Sequence, residues 1–290
     1  MQYHVNGELV PAESATVGVT DRGFQYGDAA FETLRAYGGT LFEWGAHYDR
    51  LQNTMSKLGM GEAIPADLRD RVEETLAAND LEDAYVRMSI TRGEQPGALT
   101  PQPDVDPTVV IIVKELPRAG VEGRPRWDGP ATVELVDVRR NAPAAIPPDL
   151  KTHNYLNGIL ARLALRDEDG QVEADDAILL DTEGYVAEGT TANVFFVEDG
   201  VLHTPSLEGP ILAGVTRGKV LDLAEELDIP VETGRYTPDR LVAADELFLS
   251  NTTGEVWPIG QFDGHEFETG PITRELMDAY DEMIEAVYAE

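Results

Sequence analysis

The chain has 290 residues and carries 54 Asp and Glu against 22 Lys and Arg, a net charge of −32. That balance argues against nucleic acid and anionic membranes as partners, and the absence of cysteine removes disulfides and thiolate metal sites. Hydrophobic residues at 42% suffice for a real core, no apolar run reaches bilayer length, and the N-terminus lacks a basic-then-apolar leader, so a cytoplasmic location is expected.

In chain order, residues 2–10 predict a hairpin, since Asn6-Gly7 tolerates the positive φ angles of a tight turn. Residues 22–42 hold apolar and aromatic side chains between glycines. Tyr48, Leu51, Met55 and Leu58 recur at helical spacing and predict a helix over 43–60, and a second follows over 65–79. AYVRMSITRG and PTVVIIVKEL read as strands, the latter suited to a buried sheet. The Pro/Gly-rich stretch 116–130 marks a boundary, which gives a domain at 1–118, a linker at 119–130 and a second domain at 131–290.

The second part opens with a strand at 131–138 and an Ala/Pro loop, and a helix is expected to start near Lys151. DDAILLD and ANVFFVEDGVLHTP read as strands joined by a loop, ILAGVTRGKVLDLAEELD as a loop feeding a helix, ELFLSNTTGEVWPI as a strand entering a turn, and 271–290 as a terminal helix. Strands and helices mix without a regular βαβ rhythm, so the fold class is α+β. The acids are spread along the chain rather than gathered in a tail, and the scarcity of lysine beside them is a pattern of proteins working in high salt.

Several chemistries are missing. There is no dinucleotide fingerprint, the segment Gly214–Val220 lacks P-loop spacing, and no histidine pair has metal-ligand spacing, so no metal is expected. Of the four lysines (Lys57, Lys114, Lys151 and Lys219), Lys151 follows a rigid proline segment and precedes an apolar Ala/Leu run. A Schiff-base lysine has to be partly desolvated so that its amine is neutral at working pH. Taken alone, such a lysine is equally the surface end of a helix.

Lys151-Thr152-His153-Asn154-Tyr155-Leu156, ahead of that Ala/Leu run, resembles the cofactor-lysine segment of the class IV aminotransferases, the fold-type IV pyridoxal-phosphate enzymes. Further segments match in order from Val5-Asn6-Gly7 to Gly270-Pro271, nearly the whole chain. The resemblance implies two domains with pyridoxal 5′-phosphate held between them and a homodimer completing the site. It implies Lys151 as the catalytic, cofactor-bearing lysine. Glu188, in Val-Ala-Glu-Gly-Thr-Thr-Ala-Asn-Val-Phe, matches the acid that pairs with the pyridine nitrogen and keeps the electron sink charged. Tyr155 matches the tyrosine bonded to the ring hydroxyl, and a helical path would put it one turn from Lys151 on the same face. Arg50, Val215, Thr216 and Thr252 match phosphate contacts; Thr216 would serve equally as an ordinary helix cap.

Tyr26 and Phe31 match substrate-pocket walls, Tyr85 and Arg87 the Tyr-x-Arg that branched-chain aminotransferases place near the substrate carboxylate, and Thr253 a further substrate contact. As bare sequence, Tyr85 and Arg87 are also what an alternating strand presents. The implied activity is transfer of an amino group between an aliphatic, branched-chain-type L-amino acid and a 2-oxo acid such as 2-oxoglutarate. The stretch after Thr91-Arg92 lacks the Arg-x-His carboxylate trap of D-amino-acid aminotransferases. Gly27–Thr33 and Asn251 resemble 4-amino-4-deoxychorismate lyase, in which Thr33 would handle a proton, although that lyase's Arg-Gly-Tyr-like element after Arg92 is missing. A non-catalytic acidic interaction or storage protein is the alternative from another class.

Overall fold

A computed structural model of the chain describes residues 1–118, 120, 127–167 and 169–288. The chain divides into two compact units, one of Met1–Gly123 with Leu150–Asn154 and one of Arg124–Asp149 with Tyr155–Glu290. Leu150–Asn154, placed within 131–290 by the sequence, thus clusters with the first unit. Of the expected linker 119–130, residues 119 and 121–126 lie outside the described residues.

The first unit comprises β1 (Gln2–Val5), β2 (Glu8–Pro11), α1 (Arg22–Tyr26), β3 (Ala29–Tyr37), β4 (Thr40–Leu41), α2 (Trp44–Lys57), α3 (Leu68–Ala77), β5 (Ala84–Thr91) and β6 (Val109–Glu115). Its strands form one antiparallel sheet in the order β2-β1-β6-β5-β3-β4. The β1–β2 turn has positive φ at Asn6 (51°) and Gly7 (96°), which that dipeptide tolerates. Leu51 and Met55 of α2 and Leu68, Val72 and Leu76 of α3 pack on Leu34, Val86, Met88, Ile111 and Val113. Each fully buried side chain of this size contributes about 1.5–3 kcal/mol. The apolar run of β6 is not buried on both faces as expected. Val109, Ile111 and Val113 are buried while Val110 and Ile112 are half-buried, because the helices cover only one face of an antiparallel sheet.

The second unit holds β7 (Ala131–Arg139), α4 (Leu156–Ala164), β8 (Asp176–Leu180), β9 (Val186–Gly189), β10 (Asn193–Glu198), β11 (Val201–Pro205), α5 (Val215–Glu226), β12 (Val231–Gly234), α6 (Pro238–Val242), β13 (Glu246–Asn251), β14 (Glu255–Phe262), β15 (His265–Glu266) and α7 (Pro271–Tyr288). Its sheet is mixed, in the order β12-β11-β10-β13-β14-β7-β8-β9, with β15 on β14. Thr273, Leu276, Tyr280 and Ile284 form the buried stripe of α7, whose first amides, on Ile272 and Thr273, donate to the buried Glu246 carboxylate at 3.1 and 2.6 Å. A carboxylate at a helix N-terminus satisfies orphan donors and complements the dipole.

Three expectations need correction. Lys151 does not begin a helix: α4 starts at Leu156, and residues 151–153 are extended along β3. Glu188 lies within β9, not in a loop, paired across from Leu179. ANVFFVEDGVLHTP is two strands, turned at Asp199-Gly200, both with positive φ.

Candidate active site

In the first unit, the segment around Lys151 behaves as a short extra strand on the edge of β3. The Phe31 amide donates to the Lys151 carbonyl at 3.0 Å, the His153 amide donates to the Ala29 carbonyl at 3.1 Å, and Ala30 bridges Thr152. The Lys151 amide donates to Thr54 Oγ1 of α2 at 3.1 Å. Main-chain pairing therefore fixes where the Lys151 side chain starts. Its Nζ lies 4.5 Å from the centre of the Phe31 ring, over which Arg87 also sits at 3.8 Å.

Register explains the gathering. Phe31 pairs with Ser89, Thr33 with Arg87, Arg35 with Tyr85, and Tyr85 in turn with Lys114. Residues directly opposite in antiparallel strands share a face, so these side chains stand on one face while Val86, Met88 and Leu34 point into the core. Tyr85 and Arg87 thus alternate as a strand would have them and yet stand on the face that carries Lys151. In a chain of −32, one sheet face collects Arg87, Lys114 and Lys151. His153 joins them: its ring meets Phe31 edge-on at 5.8 Å and its Nε2 is 3.1 Å from Ser89 Oγ. Burial, with the Arg87 guanidinium, pushes His153 down to about 4, so the ring is neutral at pH 7.

On the opposite face of β3, Arg50 is gripped by a buried acid. Its Nε and Nη2 donate to Glu32 Oε1 and Oε2 at 2.7 and 2.8 Å, and His47 Nδ1 is 2.8 Å from the same carboxylate. Burial works to raise the Glu32 carboxyl, but Arg50 and His47 overcome it and hold it down at about 2. Tyr26 is exposed in α1 beneath Arg22, whose guanidinium is 5.0 Å from its ring. Arg92 donates to Asp28 at 2.8 Å and to the Leu58 carbonyl at 2.7 Å, which commits it to the turn before β3.

In the second unit Glu188 is buried, and its carboxylate accepts from the Leu212 amide and from Arg140 Nη2, both at 2.9 Å. Arg140 also donates to the Pro210 carbonyl and to Asn157 Oδ1 of α4. Tyr155 occupies the N-cap position of α4 and, with Thr190, Thr191 and Arg162, lines a cavity of about 420 Å³.

Helix α5 begins after Gly214, and no side chain caps it; Thr216 is buried in the first turn and is not its cap. A Cβ at Gly214 would lie 2.1 Å from Asn193 Oδ1, so any side chain there would push the Asn193 amide aside. Arg217 Nε and Ser250 Oγ are buried and find no hydrogen-bond partner among the described residues. An uncapped helix N-terminus beside buried donors is the cradle that a phosphate requires. Thr252 and Thr253 stand in the turn between β13 and β14, which Asn251 shapes by accepting from the Gly254 amide at 2.6 Å and the Thr253 hydroxyl at 3.2 Å.

The amino-transferase class IV model matches residues 29–262, which include Arg50, Lys151 and Glu188 but not Tyr26. The chain belongs to the class IV aminotransferases. It is an enzyme whose cofactor is pyridoxal 5′-phosphate. The aminotransferase is 37% identical to a Methanocaldococcus jannaschii protein provisionally assigned as a branched-chain-amino-acid aminotransferase, over 97% of this chain and 95% of that one. It is 34% identical to a D-alanine aminotransferase of Listeria monocytogenes, over 98% and 96% of the two chains. A solved branched-chain aminotransferase from Thermoproteus uzoniensis, in complex with norvaline, superposes with a TM-score of 0.87 at 30% identity, covering 99% of this chain and 95% of that one. Among the described residues no helix is long and apolar enough to cross a membrane.

The sequence reading missed Glu32, His47 and Arg140 of this aminotransferase. Glu32 carried a signal, an acid in the mostly apolar stretch Ala29-Ala30-Phe31-Glu32-Thr33-Leu34, whereas Arg140 sits in a charged run with nothing local to mark it.

Proposed function

We propose that the enzyme moves an amino group between an aliphatic L-amino acid and a dicarboxylic 2-oxo acid. The observation that carries this is the Phe31 ring, an apolar wall with the Lys151 amine and the Arg87 guanidinium both set over it. Such a surface suits an aliphatic side chain, and the same arginine offers a forked donor to a second carboxylate. Tyr26 and Tyr85 in the first unit and Thr253 in the second are the further residues proposed for the substrate.

Lys151 Nζ would hold the cofactor covalently, and as a free amine it would take the proton from the substrate α-carbon and return it, as general base and acid. Pyridoxal 5′-phosphate, when bound, supplies the electron sink for that carbon. Glu188, braced by Arg140 and the Leu212 amide, would present an anion to the pyridine nitrogen, and Tyr155 would donate to the ring hydroxyl. In the second unit the amides of Val215 and Thr216 and the hydroxyls of Thr216 and Thr252 would hold the phosphate, and in the first unit Arg50 is the residue proposed for it.

We also infer a homodimer in a salt-rich cytoplasm. The dimer is supported by α4, where Leu156, Ile159, Leu160 and Leu163 are 44–60% exposed and the stretch 156–166 contains no acid. In a chain otherwise rich in Asp and Glu, an acid-free apolar face is suited to a second copy.

Purified protein given the cofactor is expected to gain visible absorbance, and Lys151→Ala to lose it; a colourless wild type overturns the assignment of Lys151. Parallel half-reactions with L-leucine, D-alanine and aminodeoxychorismate test the substrate. Conversion of the cofactor to its aminated form by L-leucine supports the reading. Conversion by D-alanine alone, or pyruvate released from aminodeoxychorismate, overturns it.

A further inference from the structure

We propose that Asp176 is a positioning residue that locks the turn after Glu188 onto helix α4, and so sets Glu188 and Tyr155 together for the cofactor ring; this rests on the roles proposed above for those two residues. Asp176 opens β8, an otherwise apolar strand (Asp-Ala-Ile-Leu-Leu), and is only 4% exposed. Its Oδ1 accepts from the Ala177 amide at 2.8 Å, from the Thr190 amide at 3.2 Å and from the Thr190 hydroxyl. Its Oδ2 lies against Gly189, where a Cβ would come within 2.8 Å. One carboxylate thus touches both residues that follow Glu188.

The turn held this way is in turn packed on α4. The Thr190 carbonyl lies 3.2 Å from where a Cβ on Gly158 would stand, and a Tyr155 ring carbon lies 4.0 Å from the same point. Thr190 and Tyr155 also line the same cavity. Asp176 therefore connects to Glu188 through the chain and to Tyr155 through Thr190 and Gly158.

A buried carboxylate is costly, and among the described residues no close cation repays the cost. The nearest Arg162 nitrogen is 3.8 Å away on a side chain 42% exposed, too remote and too wet to serve as a strong partner. Burial leaves the carboxyl above its ordinary range, with the Thr190 donors offsetting only part of that effect. Valine would fill the strand without this penalty, so what the acid supplies is the fixed geometry of Thr190. Its role is indirect, because neither of its oxygens is a contact of Glu188 or Tyr155.

The test compares Asp176→Asn, Thr190→Val and Thr190→Ser with wild type and with Glu188→Gln. For each protein it measures the cofactor dissociation constant by absorbance titration, the visible spectrum of the loaded form, the thermal midpoint, and kcat and KM of the first half-reaction. Thr190→Val keeps the shape of the residue and removes only the hydroxyl donor, so it is expected to fold. Asp176→Asn and Thr190→Val should each lower kcat about tenfold with KM little changed, weaken cofactor binding and alter the loaded spectrum. Thr190→Ser should restore all three, and the Asn/Val double variant should be no worse than the worse single one. Wild-type spectra and affinities in both variants overturn the proposal, as does a Thr190→Ser no better than Thr190→Val. Severe loss in Glu188→Gln beside silent Asp176→Asn and Thr190→Val overturns this proposal alone. A silent Glu188→Gln overturns the role given to Glu188 and this proposal with it.

Discussion

Replacing Glu32 by Gln perturbs the most tightly organised charge in the first unit. The wild-type carboxylate accepts from two Arg50 nitrogens at 2.7 and 2.8 Å, lies 2.8 Å from His47 Nδ1, and has no exposed surface. A carboxyl held at about 2 against a usual 4.5 corresponds to about 3 kcal/mol of folding stability at pH 7. Truncating one member of a buried ion pair costs about 3–5 kcal/mol by a separate route, since Arg50 keeps its charge and loses its partner. The two magnitudes agree. Because the folded value lies below the unfolded one, the contribution is complete above pH 4.5 and is lost as pH falls through the folded value of about 2. Urea unfolding of wild type and Glu32→Gln, followed by tryptophan fluorescence, should give a gap of about 3 kcal/mol at pH 7 that narrows by more than half at pH 3. A gap below about 1 kcal/mol at pH 7, or one unchanged at pH 3, would refute the account.

Three other outcomes follow from the same geometry. Gly93→Ala should destabilise the first unit by about 3 kcal/mol or more, measured by urea unfolding, because Gly93 has φ of 83° and a methyl there would overlap the Asp106 carbonyl at 1.7 Å. His153 should titrate near 4 when followed by NMR of its ring protons, and a midpoint near 6.5 would place it in water instead. Its folded value lies below its usual 6.5, so any stability it lends is present above 6.5 and is lost as pH falls through about 4. The thermal midpoint should rise between dilute buffer and molar KCl as salt screens a net charge of −32, and a flat or falling midpoint would remove the high-salt reading.

Much of the architecture was legible because its signals are local. The spacing of Tyr48, Leu51, Met55 and Leu58 marked α2, and Asn6-Gly7 marked the first hairpin, since periodicity and turn chemistry are properties of a few adjacent residues. The path around Lys151 was not legible in this way. KTHNYLNGIL carries helical spacing and no stop signal, yet residues 151–153 pair with β3, more than a hundred positions earlier. No short window holds the donor and acceptor of such a bond. The same limit hid Arg140, whose meaning depends on Glu188 arriving beside it, and made Glu188 look like part of a Gly/Thr loop when its pairing with Leu179 puts it in a strand. Glu32 shows the remaining gap: an acid in an apolar strand is visible in the sequence, but the arginine that neutralises it and the histidine that bonds it come from the facing side of α2.

Three bonds around Lys151 belong to its backbone or its neighbour's: a carbonyl accepting from Phe31, an amide donating to Thr54, and a bridge through Thr152. None of them depends on which side chain residue 151 carries. Alanine at this position should leave the surrounding chain in place and open a slot the width of a butylamine, walled by the Phe31 ring. A small primary amine added to the medium would find that slot already built, and partial return of proton transfer, graded by the size and basicity of the amine, would measure how much of the catalysis belongs to the lysine's nitrogen and how much to its tether.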